Sequence, residues 1–252
     1  MNNYIFIPND NKDLEKLKGC KILYPIKFFS VGFNSYFEID DITTPNSYLY
    51  INRLLTSSDL DQLKILLLNL PSNIVGIIFE DLGIYEITKN INIEKIFSSS
   101  HILTSSKSIN TYLRYFDSCA LSSDITKEEI DNILNKADKE ICIHAFGHMP
   151  LSYSRRLLNT NYATNYKINF ENNLNIENTN FKFIVNENEY GTVIYDKDIF
   201  SCLELKFEKE FKYMIINLFE IGAEKFFNND YETTDSFLSR KTFYKVKGGD
   251  VK

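Results

Sequence analysis

The stretch Glu140-Ile-Cys-Ile-His-Ala-Phe-Gly-His-Met-Pro-Leu-Ser-Tyr-Ser-Arg-Arg-Leu-Leu158 decides how this chain is read. Ile141, Cys142, Ile143 and Ala145 form a short apolar run led by an acid, the pattern of a strand. Gly147 and Pro150 are where that strand is expected to break and turn. The same few residues deliver His148, Ser152, Tyr153, Ser154, Arg155 and Arg156. A buried strand that ends by presenting a His and two Arg is the usual build of a ligand site on a parallel sheet. The plainer alternative is a strand, a turn and a solvated helix start.

Working outward, the chain before this stretch alternates strand and helix. Tyr4–Pro8, Lys21–Tyr24, Tyr48–Ile51, Ile74–Phe79, His101–Thr104 and Cys119–Ser122 read as strands. Ile74–Phe79 is apolar throughout, as a strand covered on both faces must be. Between the strands lie helical patterns at Asp10–Lys18, Asp59–Leu70, Ile84–Lys89 and Ser108–Phe116. Ser58 is the expected cap of the second, with Leu60, Leu63, Leu67 and Leu70 on one face. Thr126 with Glu129 makes a capping box for a further helix running to about Ala137. Phe28–Ile42 alternates aromatic and small residues and reads as a strand or an ordered loop.

This alternation predicts an α/β fold, a (β/α)-barrel-like core over residues 1–165, modified or incomplete. After Tyr166 the pattern changes. Phe181–Glu187 and Tyr190–Tyr195 read as a hairpin turning near Asn188 and Glu189. Glu208–Ile221 reads as a helix stopped by Gly222, and Ala223–Phe227 as a last strand. Residues 166–252 are therefore expected to form a hairpin-and-helix part packed on the same domain. Asn172–Asn180 reads as loop and Ser236–Lys252 as a mobile terminus.

Composition narrows the function. The 252 residues carry a net charge of −6, against independent binding of nucleic acid, which needs a basic face. No apolar run is long enough to span a membrane. Met1–Pro8 lacks the basic and apolar segments of a secretory leader, so the expected location is the cytoplasm. Cys20, Cys119, Cys142 and Cys202 are far apart and expected as reduced thiols, with no Cys-x-x-Cys pair to hold zinc or iron–sulfur. No metal or cofactor is expected.

Glu80 and Asp81 close the Ile74–Phe79 strand, at the end where parallel sheets bind ligands. They read equally as an acid/base pair or as the cap of the next turn. Arg155 and Arg156 read as a grip for a carboxylate or phosphate, or as a surface ion pair. His144 and His148 are four apart, as in His-Glu-x-x-His metalloproteases, but the second position is Ala145 and the context is a strand. His144 reads as a core histidine. No Gly-x-Ser-x-Gly elbow surrounds Ser152 or Ser154.

Several segments, in order, resemble peptidase family U32, the collagenase-like peptidases. They are Ile77-Ile-Phe-Glu-Asp-Leu-Gly83; Asn110 through Ser122-Ser-Asp-Ile-Thr-Lys-Glu-Glu-Ile130; and Glu140–Leu158 with its Ser-x-Arg. To these are added Glu187-x-x-x-Gly191-Thr192 and the closing Phe237-Leu238-x-Arg240-x-Thr242-x-Tyr244-Lys245-Val246-Lys247. The likeness runs from about Ile74 to the end and rests on order and spacing. It implies a (β/α)-barrel-like fold. It also implies either peptidase activity or a part in tRNA uridine or ubiquinone hydroxylation, where relatives hold an iron–sulfur cluster.

This chain departs at the cysteines. Leu157, Leu158 and Asn159 follow the Arg pair where the family carries Cys, and Asp124 replaces a Glu. The resemblance thus implies a cluster-free accessory subunit for tRNA uridine hydroxylation, paired with a Cys-rich paralogue and meeting tRNA through that complex. The alternatives are a cytoplasmic collagenase-like peptidase and a catalytically degenerate binding protein. Candidate catalytic residues are Glu80, Asp81, His148, Arg155 and Arg156.

Overall fold

A computed structural model describes residues 3–99, 102–122, 124–169, 173–177 and 182–239. The chain runs β1 (Tyr4–Ile7), α1 (Asp13–Lys16), β2 (Lys21–Pro25), β3 (Ser47–Ile51), α2 (Ser57–Leu67), β4 (Ile74–Phe79) and α3 (Gly83–Thr88). It continues β5 (Glu94–Ser98), α4 (Ser106–Leu113), β6 (Ser118–Leu121), α5 (Lys127–Lys136), β7 (Cys142–Ser154) and α6 (Leu158–Tyr166). Last come β8 (Asn173–Glu177), β9 (Lys182–Asn188), β10 (Gly191–Ser201), β11 (Met214–Asn217), α7 (Gly222–Asn228) and β12 (Thr233–Thr234).

Among the described residues, eight parallel strands close a barrel in the order β1 to β7 and then β11. Closure is made by β11, where Met214 pairs with both Ile143 of β7 and Tyr4 of β1. The sequence dictates the two layers. In an extended strand successive side chains face opposite ways. Ile5, Ile7, Tyr50, Ile78, Ile96, Cys142 and Ile215 accordingly cluster on one side of the wall. Their neighbours Phe6, Leu49, Ile77, Phe79, Phe97, Ile143 and Ile216 pack in a second cluster with Leu63, Leu67, Ile109, Leu113, Ile130 and Ile133 of the helices. Burying each such side chain contributes about 1.5–3 kcal/mol. Near the starts of the strands the Tyr48 hydroxyl bonds Tyr213 (2.9 Å) and Glu94, which also pairs with Lys212. No helix among the described residues is long and apolar enough to cross a membrane.

β7 does not break at Gly147 and Pro150. It leaves the barrel wall and continues as an antiparallel partner of β10, with β9 and β8 beyond. Gly147 takes φ of 120° and Pro150 stands opposite Tyr195, beside register shifts in β10. Irregular positions of this kind tolerate both residues within a strand.

The expected helix Glu208–Ile221 and strand Ala223–Phe227 are reversed: strand β11 comes first and helix α7 second. Ile215 and Ile216 fill the slot between β7 and β1, and that pairing overrides a helical pattern of Leu and Phe. Gly222, at φ 77°, begins a helix instead of ending one, and the next N–H, of Ala223, donates to Asp13 Oδ1 (2.7 Å).

Other corrections are local. The cap of α2 is Thr56, not Ser58, with a full capping box to Asp59. β5 lies at Glu94–Ser98, and residues 102–104 form no strand; His101 is outside the described residues. Asn173–Glu177 is a strand where loop was expected, its flanks Asn172 and 178–180 lying outside the description, as do Phe181 and the tail from Arg240. Phe28–Ile42 is an ordered loop with one 3-10 turn at Ile39–Asp41. The α5 capping box forms as expected, and the hairpin turns between Asn188 and Gly191.

Candidate functional site

The carboxyl ends of the barrel strands surround a cavity of about 430 Å³. β3 and its exit supply Tyr50 and Asn52, the β4 exit Glu80, β7 His144 and His148, and β11 Asn217. The loop Phe28–Ile42 adds Phe33, and the outer sheet adds Tyr153, Val193 and Tyr195. Asn52 binds both the N–H and C=O of Val31 (2.9 Å each), fastening that loop over the mouth. Tyr195 donates to the Gly32 carbonyl (2.5 Å) with the same effect. Asn217 Oδ1 accepts from Phe219 N–H (3.1 Å), and among the described residues no hydrogen bond engages its amide N–H₂ on the cavity wall.

Glu80 is the acid of the site. Burial pushes its carboxyl up to about 7, against a hydrogen bond from the Tyr50 hydroxyl to Oε1 (3.1 Å). Burial and the neighbouring Glu80 raise Tyr50 well above its ordinary range, with a hydrogen bond from Ser98 opposing them. His144 is held down to about 4 by burial and is therefore a neutral imidazole; its Nε2 lies 3.1 Å from Ser98 Oγ. His148 is also lowered by burial, partly offset by the Asp196 carbonyl on Nδ1 (3.1 Å) and the charges of Glu220 and Asp196. Ser98 is only 2% exposed and is not part of the cavity wall, so its pairing with His144 offers no open nucleophile.

The proton held by Glu80 has a stability consequence. The folded state keeps it to about pH 7 and the unfolded chain only to about 4.5, so stability falls as pH rises through that window. Glu80→Gln is expected to raise stability by about 3 kcal/mol above neutrality and to change little in acid. Denaturant unfolding at about pH 8 and about pH 4 measures the difference.

The sequence candidates separate. Glu80 and His148 share the cavity wall; Asp81, Arg155 and Arg156 do not belong to it. Asp81 is a turn cap, accepting from Leu55 N–H through Oδ2 and Gly83 N–H through Oδ1 (2.8 Å each). Arg155 and Arg156 are exposed, just beyond Tyr153 of the wall. His144, read as a core histidine, lines the cavity. Tyr50, Ser98 and Asn217 were missed, although each lies at the carboxyl end of a barrel strand, close to where Glu80 stands on β4.

The late motif Glu187-x-x-x-Gly191-Thr192 holds the arginine segment in place. Glu187 accepts Asn159 N–H (2.7 Å), Thr160 N–H (2.9 Å) and the Thr160 hydroxyl (2.5 Å) at the start of α6. Burial would raise its carboxyl, but these bonds and the Thr192 hydroxyl hold it below the ordinary range. Thr192 Oγ1 accepts from Leu158 N–H (2.9 Å) and lies 2.8 Å from the Arg156 carbonyl. A Cβ on Gly191, at φ 144°, would stand 2.8 Å from Tyr153 Cε2 and nearer still to the Ser154 carbonyl.

The four cysteines do not form a donor set for a cluster. Cys119 packs among the helix-side residues, Cys142 belongs to the opposite cluster, and Cys20 is half-buried. Burial pushes the thiols of Cys119, Cys142 and Cys202 up to about 12, far from thiolate chemistry. Among the described residues no three His, Cys, Asp or Glu converge as metal ligands.

Neither a curated protein nor a solved structure matches the chain significantly. A family model does: the one described as peptidase family U32 matches residues 39–222, from the loop before β3 to the first residue of α7. That match covers more than half of the 252 residues and takes in the strands that carry Tyr50, Glu80, His144, His148 and Asn217, so the chain belongs to peptidase family U32.

Proposed function

We propose that this chain is a cluster-free subunit for tRNA uridine hydroxylation whose barrel mouth receives the uracil ring. One observation carries the reading: the cavity is walled by Phe33, Tyr50, Tyr153 and Tyr195, and its lining includes neither Lys nor Arg. A site that takes an extruded base stacks it on aromatic side chains and hydrogen-bonds its edge. Glu80, neutral His144 and the Asn217 amide supply donors and acceptors for such an edge. Exposed Arg155 and Arg156 stand outside the wall, where a neighbouring phosphate would lie. A net charge of −6 assigns most of the tRNA affinity to a partner, for which a cluster-bearing relative is the natural candidate.

A strain lacking the gene is expected to lose hydroxyuridine-derived nucleosides from its tRNA, measured by mass spectrometry. The wild-type gene should restore them and Glu80→Gln should not. Unchanged nucleosides in a strain with no second family member would remove this reading. The second reading, a peptidase, is favoured by the Glu80 carboxyl near 7, a value suited to activating water. Peptide cleavage that vanishes with Glu80→Gln would select it.

A further inference from the structure

The helix α6 (Leu158–Tyr166) turns its aromatic residues toward water. It buries Asn159 and Ala163 against the outer sheet of β9 and β10. Leu158, Tyr162 and Tyr166 recur every four residues and so share another face. That face is open: Leu158 is 38% exposed, Tyr162 54% and Tyr166 62%. The two tyrosine rings touch, with 4.6 Å between centroids, and make one aromatic shelf. Glu187 holds the shelf outward by accepting the Asn159 and Thr160 N–H groups beneath it. A single exposed apolar side chain needs no explanation, whereas a contiguous stripe marks a contact surface.

Charge decides what the stripe contacts. No Asp or Glu lies between Glu140 and Glu171, in a chain that has 34 of them, while Arg155, Arg156 and Lys167 all fall there. The two arginines are exposed just before α6 and Lys167 is exposed at its C-terminal cap, so cations stand at both ends of the shelf. The acids in reach are engaged. Glu187 is taken up by the start of α6, and Asp59, which feels the charge of Arg155, is held by Arg53 (3.2 Å) and by its own capping box. Aromatic rings set among cations are how proteins hold single-stranded nucleic acid, with bases on the rings and phosphates at the cations.

We propose that α6 is a stacking shelf for single-stranded RNA, on which bases beside the one in the mouth lie against Tyr162 and Tyr166 with their phosphates at Arg155, Arg156 and Lys167. The inference rests on the proposed function, in which the mouth receives a base, and adds the course of the strand outside it. Arg155 follows Tyr153 of the cavity wall by two residues, so wall and shelf are continuous along the chain. Three cations are too few to capture a tRNA alone. The shelf therefore sets the register of the strand and leaves most of the affinity to the partner.

Fluorescence anisotropy of a labelled oligouridylate with the full chain, at about 50 mM salt, tests the shelf. The wild type is expected to bind saturably and to weaken with salt at a log–log slope of about −2, from three phosphate contacts at about −0.7 each. Tyr162→Leu with Tyr166→Leu keeps the apolar bulk but removes the ring faces. It should weaken binding about a hundredfold, tenfold or so per ring, with the circular dichroism unchanged. Phe at both positions should bind as the wild type does. A wild-type chain that does not bind the oligomer, or a Leu pair that binds it equally well, would overturn the shelf. Binding to vesicles containing phosphatidylserine in place of RNA would overturn it in favour of a membrane surface. Self-association that the Leu pair abolishes, without RNA binding, would overturn it in favour of a protein contact. Hydroxyuridine lost from the deletion strain with an inert shelf would remove this inference alone. RNA held on the shelf with the nucleosides unchanged would remove the functional reading alone.

Discussion

Gly147→Ala is expected to destabilise the protein by about 4 kcal/mol, the sum of backbone strain and a clash that cannot relax. Gly147 sits where β7 leaves the barrel, at φ 120°, a conformation that L residues rarely adopt. A Cβ there would stand 2.9 Å from the Asn217 Cβ and nearer still to the Asn217 carbonyl. Those atoms belong to β11, held between β7 and β1, so the neighbour cannot move aside. Gly19→Ala is the control. Gly19 also has positive φ (83°) but nothing lies within 4 Å of a built Cβ, so only the strain of about 1–2 kcal/mol should appear. Urea unfolding of both variants separates the two contributions. Equal losses would mean that the β7–β11 approach is looser than described.

Glu187→Ala is expected to cost about 3–4 kcal/mol and to lower Tm by about 10 °C. The carboxylate satisfies the first N–H groups of α6 and binds two hydroxyls; Ala leaves the buried Asn159 N–H and the half-buried Thr160 N–H and hydroxyl without this partner, while the Thr192 hydroxyl keeps the Arg156 carbonyl. The sign of the pH dependence follows from its lowered pKa. Its contribution is complete above the ordinary Glu range and is lost as pH falls through the folded value. The wild type should thus lose stability in acid more steeply than Glu187→Ala. Parallel acid titrations would sink the assignment. A secondary effect is expected at the rim, because the same contacts set the backbone of Arg156 through Thr192.

Most of the barrel between Tyr4 and Ala145, β5 apart, was legible because parallel strands covered on both faces write themselves as unbroken apolar runs, as Ile74–Phe79 does. Two features obscured the rest. β5, Glu94-Lys-Ile-Phe-Ser98, begins with two charged residues that the strand start can expose, and its apolar run is too short to stand out. β11 carries a run that fits a helix and a strand equally well; only the vacancy between β7 and β1 decides it, and that vacancy is a property of the closed barrel. Of the site, Glu80 and His148 were legible from their places after strands. Asp81 was not separable from Glu80, since a one-residue step at a strand end turns a side chain from the cavity to a turn N–H. His144 was read as a core histidine because an alternating strand pattern gives the facing side but not whether that side meets core or cavity; its imidazole is desolvated and also lines the cavity. Arg155 and Arg156 were read as part of the site because the strand was expected to end near Gly147, whereas β7 carries them past the wall.

The closing strand also sets a timetable. Seven barrel strands leave the ribosome before residue 214, and until then β1 and β7 are open edges with unpaired N–H and C=O groups. Tyr4 must wait for Met214, the longest wait any barrel pairing imposes, while β8, β9 and β10 are still being made. Such late, non-local closure slows folding and prolongs the exposure of edges that can recruit another chain. Synthesis therefore leaves two barrel edges open until β11 arrives, and truncation before β11 leaves a sheet that cannot seal itself.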